Sequence, residues 1–363
     1  MKELCIKDIC IKDSSSLKQK DLKESGKYPV YGASGIAGYL DTYQQEVPYI
    51  AIVKDGSGIG RVSFQEAKSS LIGTMQYILP KPGYDIRYIG YCLQSLDLSK
   101  YKQGAAIPHI YFRDYGERKV NVTDNFSEQQ QIVERLDAAF AHIDELKAKA
   151  EKQLNEARQL FQAELTESMK PKEGWEEKKL GEVCEIIGGG TPAKNNSSYY
   201  NGTIPWATVR DMNCDILCST EFSISETGLK NSSSHLIQKG EIIIATRVGL
   251  GKVCKLAQDT AINQDLKAIV PKKENIIRDF IYYFFKNDAQ KLIDNGVGAT
   301  VKGVKIKFVE ELSFPLPQKE VQQRIVAHLD ALSENVRKYE EIQRKTLAEC
   351  DALKQAILRE VFE

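Results

Sequence analysis

The chain has 363 residues, of which 42% are hydrophobic and 9% aromatic, and its 50 basic side chains balance 50 acidic ones. That length suits two domains of ordinary size, and the composition excludes a disordered protein. Charges occupy the place where a secretion signal needs an apolar core, and no run approaches the roughly 18 apolar residues of a membrane span, so we expect a cytoplasmic protein without a membrane partner.

Residues 1–126 predict a small mixed α/β domain. After a turn-rich stretch at residues 28–35, an apolar run at residues 49–53 leads into a glycine-rich turn and a second apolar run. This pattern predicts a strand–turn–strand unit, in which Lys54 and Arg61 flank the glycines. The other predicted elements are a strand at 77–80, a short helix at 86–96 and a polar loop at 102–110.

Residues 127–170 predict one uninterrupted helix. Ser127 and Gln130 match an S-x-x-Q capping box, and no proline or glycine follows before Pro171. Apolar residues recur at steps of three and four and form a single stripe. The stripe residues assigned to helix packing are Ile132, Leu136, Phe140, Ile143, Leu154 and Phe161.

Residues 171–319 repeat the plan of the first domain. A second strand–turn–strand unit is predicted at residues 240–253, where Gly249 and Gly251 match the first turn and Lys252 takes the place of its arginine. Three further segments match between the halves: 269–271 with 78–80, 280–285 with 88–93, and 298–301 with 104–107.

Residues 320–363 repeat the long helix, because residues 322–331 align with residues 129–138 at an offset of 193. The matching stripe is Ile325, Leu329, Val336, Leu347 and Ile357. A helix of about 40 residues is about 60 Å long and cannot bury its stripe alone. We therefore predict an α+β fold: two globular mixed α/β domains, 1–126 and 171–319, separated by two long helices, 127–170 and 320–363, packed as an antiparallel coiled coil with a pseudo-two-fold internal repeat.

The apolar face of the helix pair is wider than a two-helix seam requires. The additional residues are Leu146, Leu165, Leu332, Tyr339, Ile342, Leu353 and Val361. This width predicts a partner subunit docked on the helices. The alternative is a strut that only separates the two domains.

Motifs for catalysis are missing from the sequence. Gly56 to Gly60 have G-x-G-x-G spacing and open a strand, unlike a dinucleotide fold, and Gly188 to Thr191 lack the lysine of a phosphate loop. The four histidines are isolated, and the eight cysteines are scattered, which predicts free thiols and no metal site. We expect no enzyme activity and no cofactor in this chain.

Basic and aromatic residues in the two domains are instead candidates for contacts with DNA. Glycines let backbone N–H groups approach a phosphate, and nearby cations supply the salt-dependent part of DNA affinity. If residues 301–308 form a strand, Lys305 and Lys307 share one of its faces. For any one residue, a solvated charge or a core aromatic is an equally good reading. The candidates are Tyr31, Ser34, Lys54, Ser57, Arg61, His109, Thr191, Lys194, Tyr199, Trp206, Arg210, Arg247, Lys252, Lys302 and Lys305.

Several motifs resemble those of the specificity (S) subunits of type I restriction–modification systems. Residues 175–183, Gly189 to Pro192 and residues 199–206 look like the opening of a target-recognition domain, and residues 28–32 with 56–62 resemble a second common type. Phe314 to Pro317, followed by glutamines and apolar residues, is similar to the family's junction into its conserved helical region. The resemblance covers essentially the whole chain.

The resemblance implies a non-catalytic subunit for double-stranded DNA. In that family each recognition domain reads one half of a bipartite site, and the helices fix the spacing and dock two modification subunits. Those subunits bind S-adenosylmethionine and methylate adenine, and restriction subunits add ATP- and Mg-dependent translocation and cleavage. Since the two domains here differ, we expect an asymmetric target.

Two alternatives belong to other functional classes. The first is a coiled-coil interaction scaffold that does not bind DNA, which the weak net charge of each domain permits. The second is an enzyme with degenerate motifs, which would bind S-adenosylmethionine by itself. Salt-sensitive binding to mixed duplex DNA distinguishes a DNA-reading subunit from the scaffold.

Overall fold

The computed structural model describes residues 1–104, 108–298 and 302–363. Contacts divide the chain into two compact units, the first made of residues 1–152 and 342–363 and the second of residues 153–341. Each unit therefore contains one globular part and a segment of both long helices. The predicted match between residues 298–301 and 104–107 falls largely outside the described residues.

The first unit is built around a short helix packed on an antiparallel sheet. Its strands are β1 (Lys2–Cys5), β2 (Cys10–Ser14), β3 (Tyr28–Gly32), β4 (Gly35–Leu40), β5 (Tyr49–Val53), β6 (Val62–Gln65), β7 (Ser70–Leu71), β8 (Met75–Pro80) and β9 (Lys119–Val122), and its helices are α1 (Ile6–Ile9), α2 (Ile86–Ser95), α3 (Phe112–Tyr115) and the start of α4 (Phe126–Met169). The main sheet has the order β2–β8–β5–β6. The β1–β9 pair and the sheet β4–β3–β7 complete the unit.

Strand β5 is buried on both of its faces. Ile50 and Ile52 point into the core cluster that contains α2. Tyr49, Ala51 and Val53 point the other way, into a second cluster with the β3–β7 layer. Because successive side chains of a strand point to opposite faces, a strand buried on both sides is apolar throughout. This accounts for the continuous apolar run at residues 49–53.

The second unit contains the same arrangement with a larger insertion. Its strands are β10 (Glu176–Lys179), β11 (Cys184–Gly188), β12 (Ile204–Ala207), β13 (Ile216–Leu217), β14 (Phe222–Ile224), β15 (Leu236–Ile237), β16 (Ile242–Ala245), β17 (Val253–Leu256), β18 (Thr260–Ile262), β19 (Leu266–Pro271) and β20 (Ser313–Leu316), and its helices are α5 (Leu180–Val183), α6 (Glu226–Lys230), α7 (Arg278–Asn287), α8 (Ala289–Asp294), α9 (Ile306–Glu310) and the start of α10 (Lys319–Phe362). The main sheet has the order β11–β19–β16–β17–β13.

The shared strand order identifies the internal repeat. In each unit an antiparallel pair, β1–β9 or β10–β20, leads through a four-residue helix into the edge strand of the main sheet. Even the register agrees, since Cys10 pairs with Pro80 and Cys184 pairs with Pro271. The predicted equivalences of the hairpins, of residues 78–80 with 269–271 and of the core helices α2 and α7 are confirmed.

The two long helices are present, and each has 44 residues. In the first unit Lys147 pairs with Asp351 at 2.7 Å, and Asp144 pairs with Lys354 at 2.5 Å. Lys147 follows Asp144 in the first helix, but its partner Asp351 precedes Lys354 in the second. The two helix segments therefore run antiparallel within this unit. These exposed ion pairs add little stability, and the buried apolar stripe holds the segments together.

The second unit pairs its own helix segments in the same sense. Arg158 Nε lies 2.6 Å from a carboxylate oxygen of Glu340, and His328 Nε2 lies 3.0 Å from Glu164. None of the helices, as far as the described residues extend, is long and apolar enough to cross a membrane.

The predicted capping box of the first long helix is wrong. Helix α4 begins at Phe126, one residue before Ser127. The cap is Asn125, whose side-chain oxygen accepts from the backbone N–H groups of Ser127 at 3.1 Å and Glu128 at 3.3 Å. Asparagine is as good an N-cap as serine, and here it precedes the segment that matched the capping box.

Two segments differ in backbone conformation from the prediction. The turn-rich stretch at residues 28–35 is mostly the hairpin of β3 and β4, and Pro29 is tolerated because β7 pairs only with Val30 and Tyr31. Residues 306–310 form helix α9, so Lys305 and Lys307 do not share a strand face.

Candidate nucleic-acid interface

Each unit presents a glycine-rich turn at the end of its central hairpin. In the first unit Gly56, Gly58 and Gly60 have φ angles of 85°, 83° and 84°, which favour glycine over any other residue. The N–H of Gly60 donates to the carbonyl of Val53 at 2.8 Å, and the N–H of Val53 donates to the carbonyl of Arg61 at 3.0 Å. Arg61 therefore closes the hairpin ladder beside the glycines.

The turn of the second unit has the same construction. Gly249 and Gly251 have φ angles of 75° and 86°. The N–H of Ala245 donates to the carbonyl of Lys252 at 3.0 Å, and the N–H of Lys252 donates to Gly249 at 3.2 Å. Lys252 thus occupies the ladder position that Arg61 occupies in the first unit, as the sequence comparison predicted.

A Gly60→Ala substitution is expected to destabilise the first unit by about 1–3 kcal/mol, because it combines backbone strain with a close contact. A Cβ at Gly60 would lie 3.0 Å from the backbone nitrogen of Ser99 and 3.1 Å from Leu98 Cβ. Gly56→Ala is the matched control, since its φ is similar and nothing lies within 4 Å of its Cβ. Thermal unfolding of both variants separates the cost of backbone strain from the cost of the close contact. An equal loss of stability in the two variants would show that the contact with Ser99 and Leu98 adds nothing.

A second loop packs against each turn by a backbone hydrogen bond. In the first unit the N–H of Ile110 donates to the carbonyl of Lys54 at 2.9 Å. In the second unit the N–H of Val304 donates to the carbonyl of Thr246 at 2.8 Å. The first of these loops brings His109 beside the turn, where its Nδ1 lies 2.6 Å from a carboxylate oxygen of Asp55.

Polar candidates of the first unit meet at the glycine turn. Arg61 Nη1 donates to the carbonyl of Ala33 at 2.9 Å, which joins this turn to the turn between β3 and β4. Ser34, Ser57 and Arg61 are exposed there. The glycine turn therefore forms one surface with the Arg61 guanidinium, the hydroxyl groups of Ser34 and Ser57, and glycine backbone that a ligand can approach closely.

Two basic clusters flank the turn of the second unit. Lys252 Nζ donates to Asn213 Oδ1 at 3.2 Å and to the carbonyl of Val209 at 3.4 Å, so it lies next to Arg210. On the other side, Gly303 packs against Arg247, and an exposed lysine, Lys302, precedes it. Arg210, Arg247 and Lys302 are exposed beside approachable backbone, which suits contacts to phosphates, whereas Lys252 is half-buried.

The family model for the type I restriction modification DNA specificity domain matches residues 1–156 and matches residues 172–346 a second time. The chain belongs to this family. It is 30% identical to the type I restriction enzyme EcoR124I/EcoR124II specificity subunit of Escherichia coli over 336 residues, which cover 86% of this chain and 81% of that subunit. The predicted family is therefore confirmed.

Further relatives agree with the specificity-subunit family. The type I restriction enzyme MjaIX specificity subunit of Methanocaldococcus jannaschii is 31% identical over 183 residues, 48% of this chain and 42% of that subunit. A chain solved in work on complex assembly and conformational transition of the type I R-M system has the same fold, with a TM-score of 0.76 at 18% identity over 99% of this chain and 97% of that chain. Membership makes this chain a non-catalytic specificity subunit, as the missing motifs predicted.

Four other candidate residues of this specificity subunit lie on the segment at residues 188–199 or contact it. The side chain of Trp206 is only 7% exposed, and its Nε1 donates to the carbonyl of Gly190 at 3.1 Å, so it supports that glycine segment from inside. Thr191 hydrogen-bonds Gln264. Lys194 is exposed on the same loop, and Tyr199 is half-buried in the short 3₁₀ turn that follows.

Three remaining candidates have simple placements. Tyr31 is half-buried in β3, where its carbonyl accepts from Ile72, and Lys54 is half-buried at the start of the first turn. Lys305 is exposed immediately before helix α9.

A buried neighbour of Arg247, Lys267, has its pKa lowered because burial disfavours the charged form.

The helix residues of the specificity subunit divide into buried and exposed groups. Leu136, Phe140, Ile143 and Leu329 are buried, and Ile132, Leu154, Phe161, Ile325, Val336, Leu347 and Ile357 are half-buried. Of the additional apolar residues, Leu146, Ile342 and Leu353 are exposed, whereas Leu165 is buried in the core of the second unit. Leu165 is therefore not free for a partner, contrary to the prediction.

Reasoning from the sequence missed a set of polar contacts between each core helix and its long helix. They involve Gln129 and Asp137 in the first unit and Gln322 and Asp330 in the second. The signal was available, because both residue types recur at the offset of 193 between the helix copies. No group of three or more potential metal ligands occurs among the described residues.

Proposed function

We propose that this chain is the sequence-specific DNA-recognition subunit of a type I restriction–modification complex, reading a bipartite, asymmetric site with one half-site per globular domain. The observation that carries the proposal is the repeated glycine turn, which places a cation at the same ladder position in both units. The surroundings of the two turns differ, which supports two different half-sites.

Phosphate contacts at the turns would position each domain, and neighbouring polar side chains would read base edges. In the first unit the contacting set is Tyr31, Ser34, Lys54, Ser57, Arg61 and His109. In the second unit it is Thr191, Lys194, Tyr199, Arg210, Arg247, Lys252, Lys302 and Lys305, with Trp206 holding the Gly190 segment in place.

The long helices would form a continuous antiparallel coiled coil that relates the two domains by a pseudo-two-fold axis. Support comes from the antiparallel ion pairs found separately in each unit and from the equal length of the two helices. The exposed residues Leu146, Ile342 and Leu353 supply apolar surface for docking two modification subunits. In the second unit an open groove of about 460 Å³, lined by Ala157, Leu160, Val336 and Tyr339, offers further apolar surface.

The chain itself would carry no cofactor. S-adenosylmethionine would be held by the modification subunits, and ATP with Mg²⁺ would be held by restriction subunits in the full complex. Adenine methylation then depends on this chain for the choice of site and on its partners for the reaction.

Co-expression with the modification subunit is expected to methylate adenines in one bipartite, asymmetric motif, and neither chain alone is expected to do so. Genome-wide mapping of methylated adenines measures this directly and gives both half-sites and the spacer. A stable complex without new methylation would contradict the proposal and favour the scaffold.

Binding of the complex to a duplex carrying the mapped motif should weaken steeply as salt rises, because phosphate contacts release counterions. Arg61→Gln and Lys252→Gln are each expected to reduce the salt dependence, since each removes one cation at a turn. Glu185→Gln provides a control on an exposed residue away from the turns. Salt-independent binding would contradict a phosphate interface.

A further inference from the structure

Gln129 is a completely buried polar residue at the start of the first long helix. Its Oε1 accepts from the backbone N–H of Asp85 at 2.7 Å. Its Nε2 donates to the carbonyl of Gly83 at 3.1 Å and to the carbonyl of Thr123 at 2.9 Å. The amide thus ties the first turn of α4 to the backbone that precedes α2.

Gln322 makes the same three contacts in the second unit and is also completely buried. Its Oε1 accepts from the N–H of Ile277 at 2.9 Å, and its Nε2 donates to the carbonyls of Asn275 at 3.1 Å and Pro317 at 2.9 Å. Asn275 and Ile277 correspond to Gly83 and Asp85 before the core helix, whereas the third partner lies six residues before its glutamine in the first unit and five in the second. Since all the partners are backbone groups, the contact survives divergence of the recognition domains.

A second polar contact joins the same pair of helices eight residues further along. Tyr91 of α2 donates to Asp137 of α4, and Arg87 reaches both oxygens of that carboxylate at 2.6 Å. In the second unit Tyr283 of α7 donates to Asp330 of α10 at 2.5 Å.

Both tyrosines act as donors at neutral pH. Burial, together with the hydrogen bond to Asp137, raises the pKa of Tyr91 to about 12. The pKa of Tyr283 is raised for the same two reasons, with Asp330 as its partner.

Two contacts at this spacing constrain the helix more than apolar packing can. Eight residues advance the helix by about 12 Å and turn it by about 80° beyond two full turns. Apolar side chains are non-directional and allow small rolling or sliding movements, whereas hydrogen bonds have narrow distance and angle ranges. Rolling or sliding of the helix against its recognition domain would therefore break at least one of these contacts.

We propose that Gln129 with Asp137, and Gln322 with Asp330, are positioning residues that fix the rotation of each recognition domain about its own helix and thereby set how strictly the complex reads spacer length. This role rests on the proposed DNA-reading function. A domain free to roll would reach a half-site displaced by one base pair, and a fixed domain would not.

The test compares binding of the complex with the modification subunit to duplexes carrying the mapped motif with its native spacer, one base pair fewer and one base pair more. In the Gln322→Met complex the preference for the native spacer is expected to fall by about tenfold or more, because the substitution removes three hydrogen bonds and one buried hydrogen bond is already worth about that factor. Gln323→Met is the matched control, because this adjacent glutamine is exposed. Its spacer preference should equal that of the wild type.

A merely structural role would lower affinity for all three duplexes by the same factor, and that result would overturn the proposal. Asp330→Asn is the second variant, since it weakens the hydrogen bond from Tyr283 and leaves the buried Gln322 amide in place. If the Gln322→Met complex does not assemble, the spacer preference of Asp330→Asn is the deciding measurement. An unchanged spacer preference in every assembling variant also overturns the positioning role. Failure of the wild-type complex to bind the motif would instead overturn the proposed function.

Discussion

Lengthening both long helices by seven residues is expected to give a methylated site with the same two half-sites and a longer spacer. Duplicating residues 146–152 and 335–341 inserts the new turns at the boundary between the two units. Seven residues are two turns and add about 10 Å, and the apolar stripe drifts by only about 20°. At about 3.4 Å per base pair the spacer should grow by about one to three base pairs, fewer as the helices tilt from the DNA axis.

Insertion length supplies the control for this experiment. Five residues in each helix would rotate the stripe by about 140°, so this variant should lose packing and methylation together. A heptad in one helix alone should also fail, because the paired segments would no longer match in length. An unchanged spacer in the double heptad variant would contradict the view that the helices measure the distance between half-sites.

The long helices were predictable to within one residue because local signals and the repeat agree. A proline marks one end of each helix, Pro171 after α4 and Pro317 before α10, and the same stripe occurs twice at one offset. The two hairpins were predictable for a similar reason, since glycines with positive φ leave a recognisable spacing between apolar strands. In these cases the decisive interactions are close in sequence.

The remaining errors arise where tertiary contacts decide. Gln129 belongs to a polar first turn that would be exposed in an isolated helix, and only the backbone near Gly83 makes it a buried residue. Trp206 was predicted to contact DNA, yet the fold places it inside, where it contacts the Gly190 segment. The segment around Val304 and Phe308 alternates like a strand, but these two residues are also four apart, and both pack on the second core as part of a loop and helix.

Phe362→Ala is expected to destabilise the first unit by about 3–5 kcal/mol, the usual cost of emptying a buried phenylalanine site. Phe362 is completely buried, and its ring centroid lies 5.1 Å from that of Tyr88 in α2. The end of α10 is thus part of the core around which the first recognition domain folds. Met169 holds the corresponding position at the end of α4, in the core of the second unit.

Because Phe362 contributes to one core only, its loss should act locally. Amide hydrogen exchange should accelerate in β5 and α2 and remain unchanged in β16 and α7, and Met169→Ala should show the reverse pattern. Leu353→Ala is the control, since this leucine of the same helix is half exposed and its loss should cost less than about 0.5 kcal/mol. Equal acceleration in both units after Phe362→Ala would contradict local unfolding and mean that the two cores unfold together.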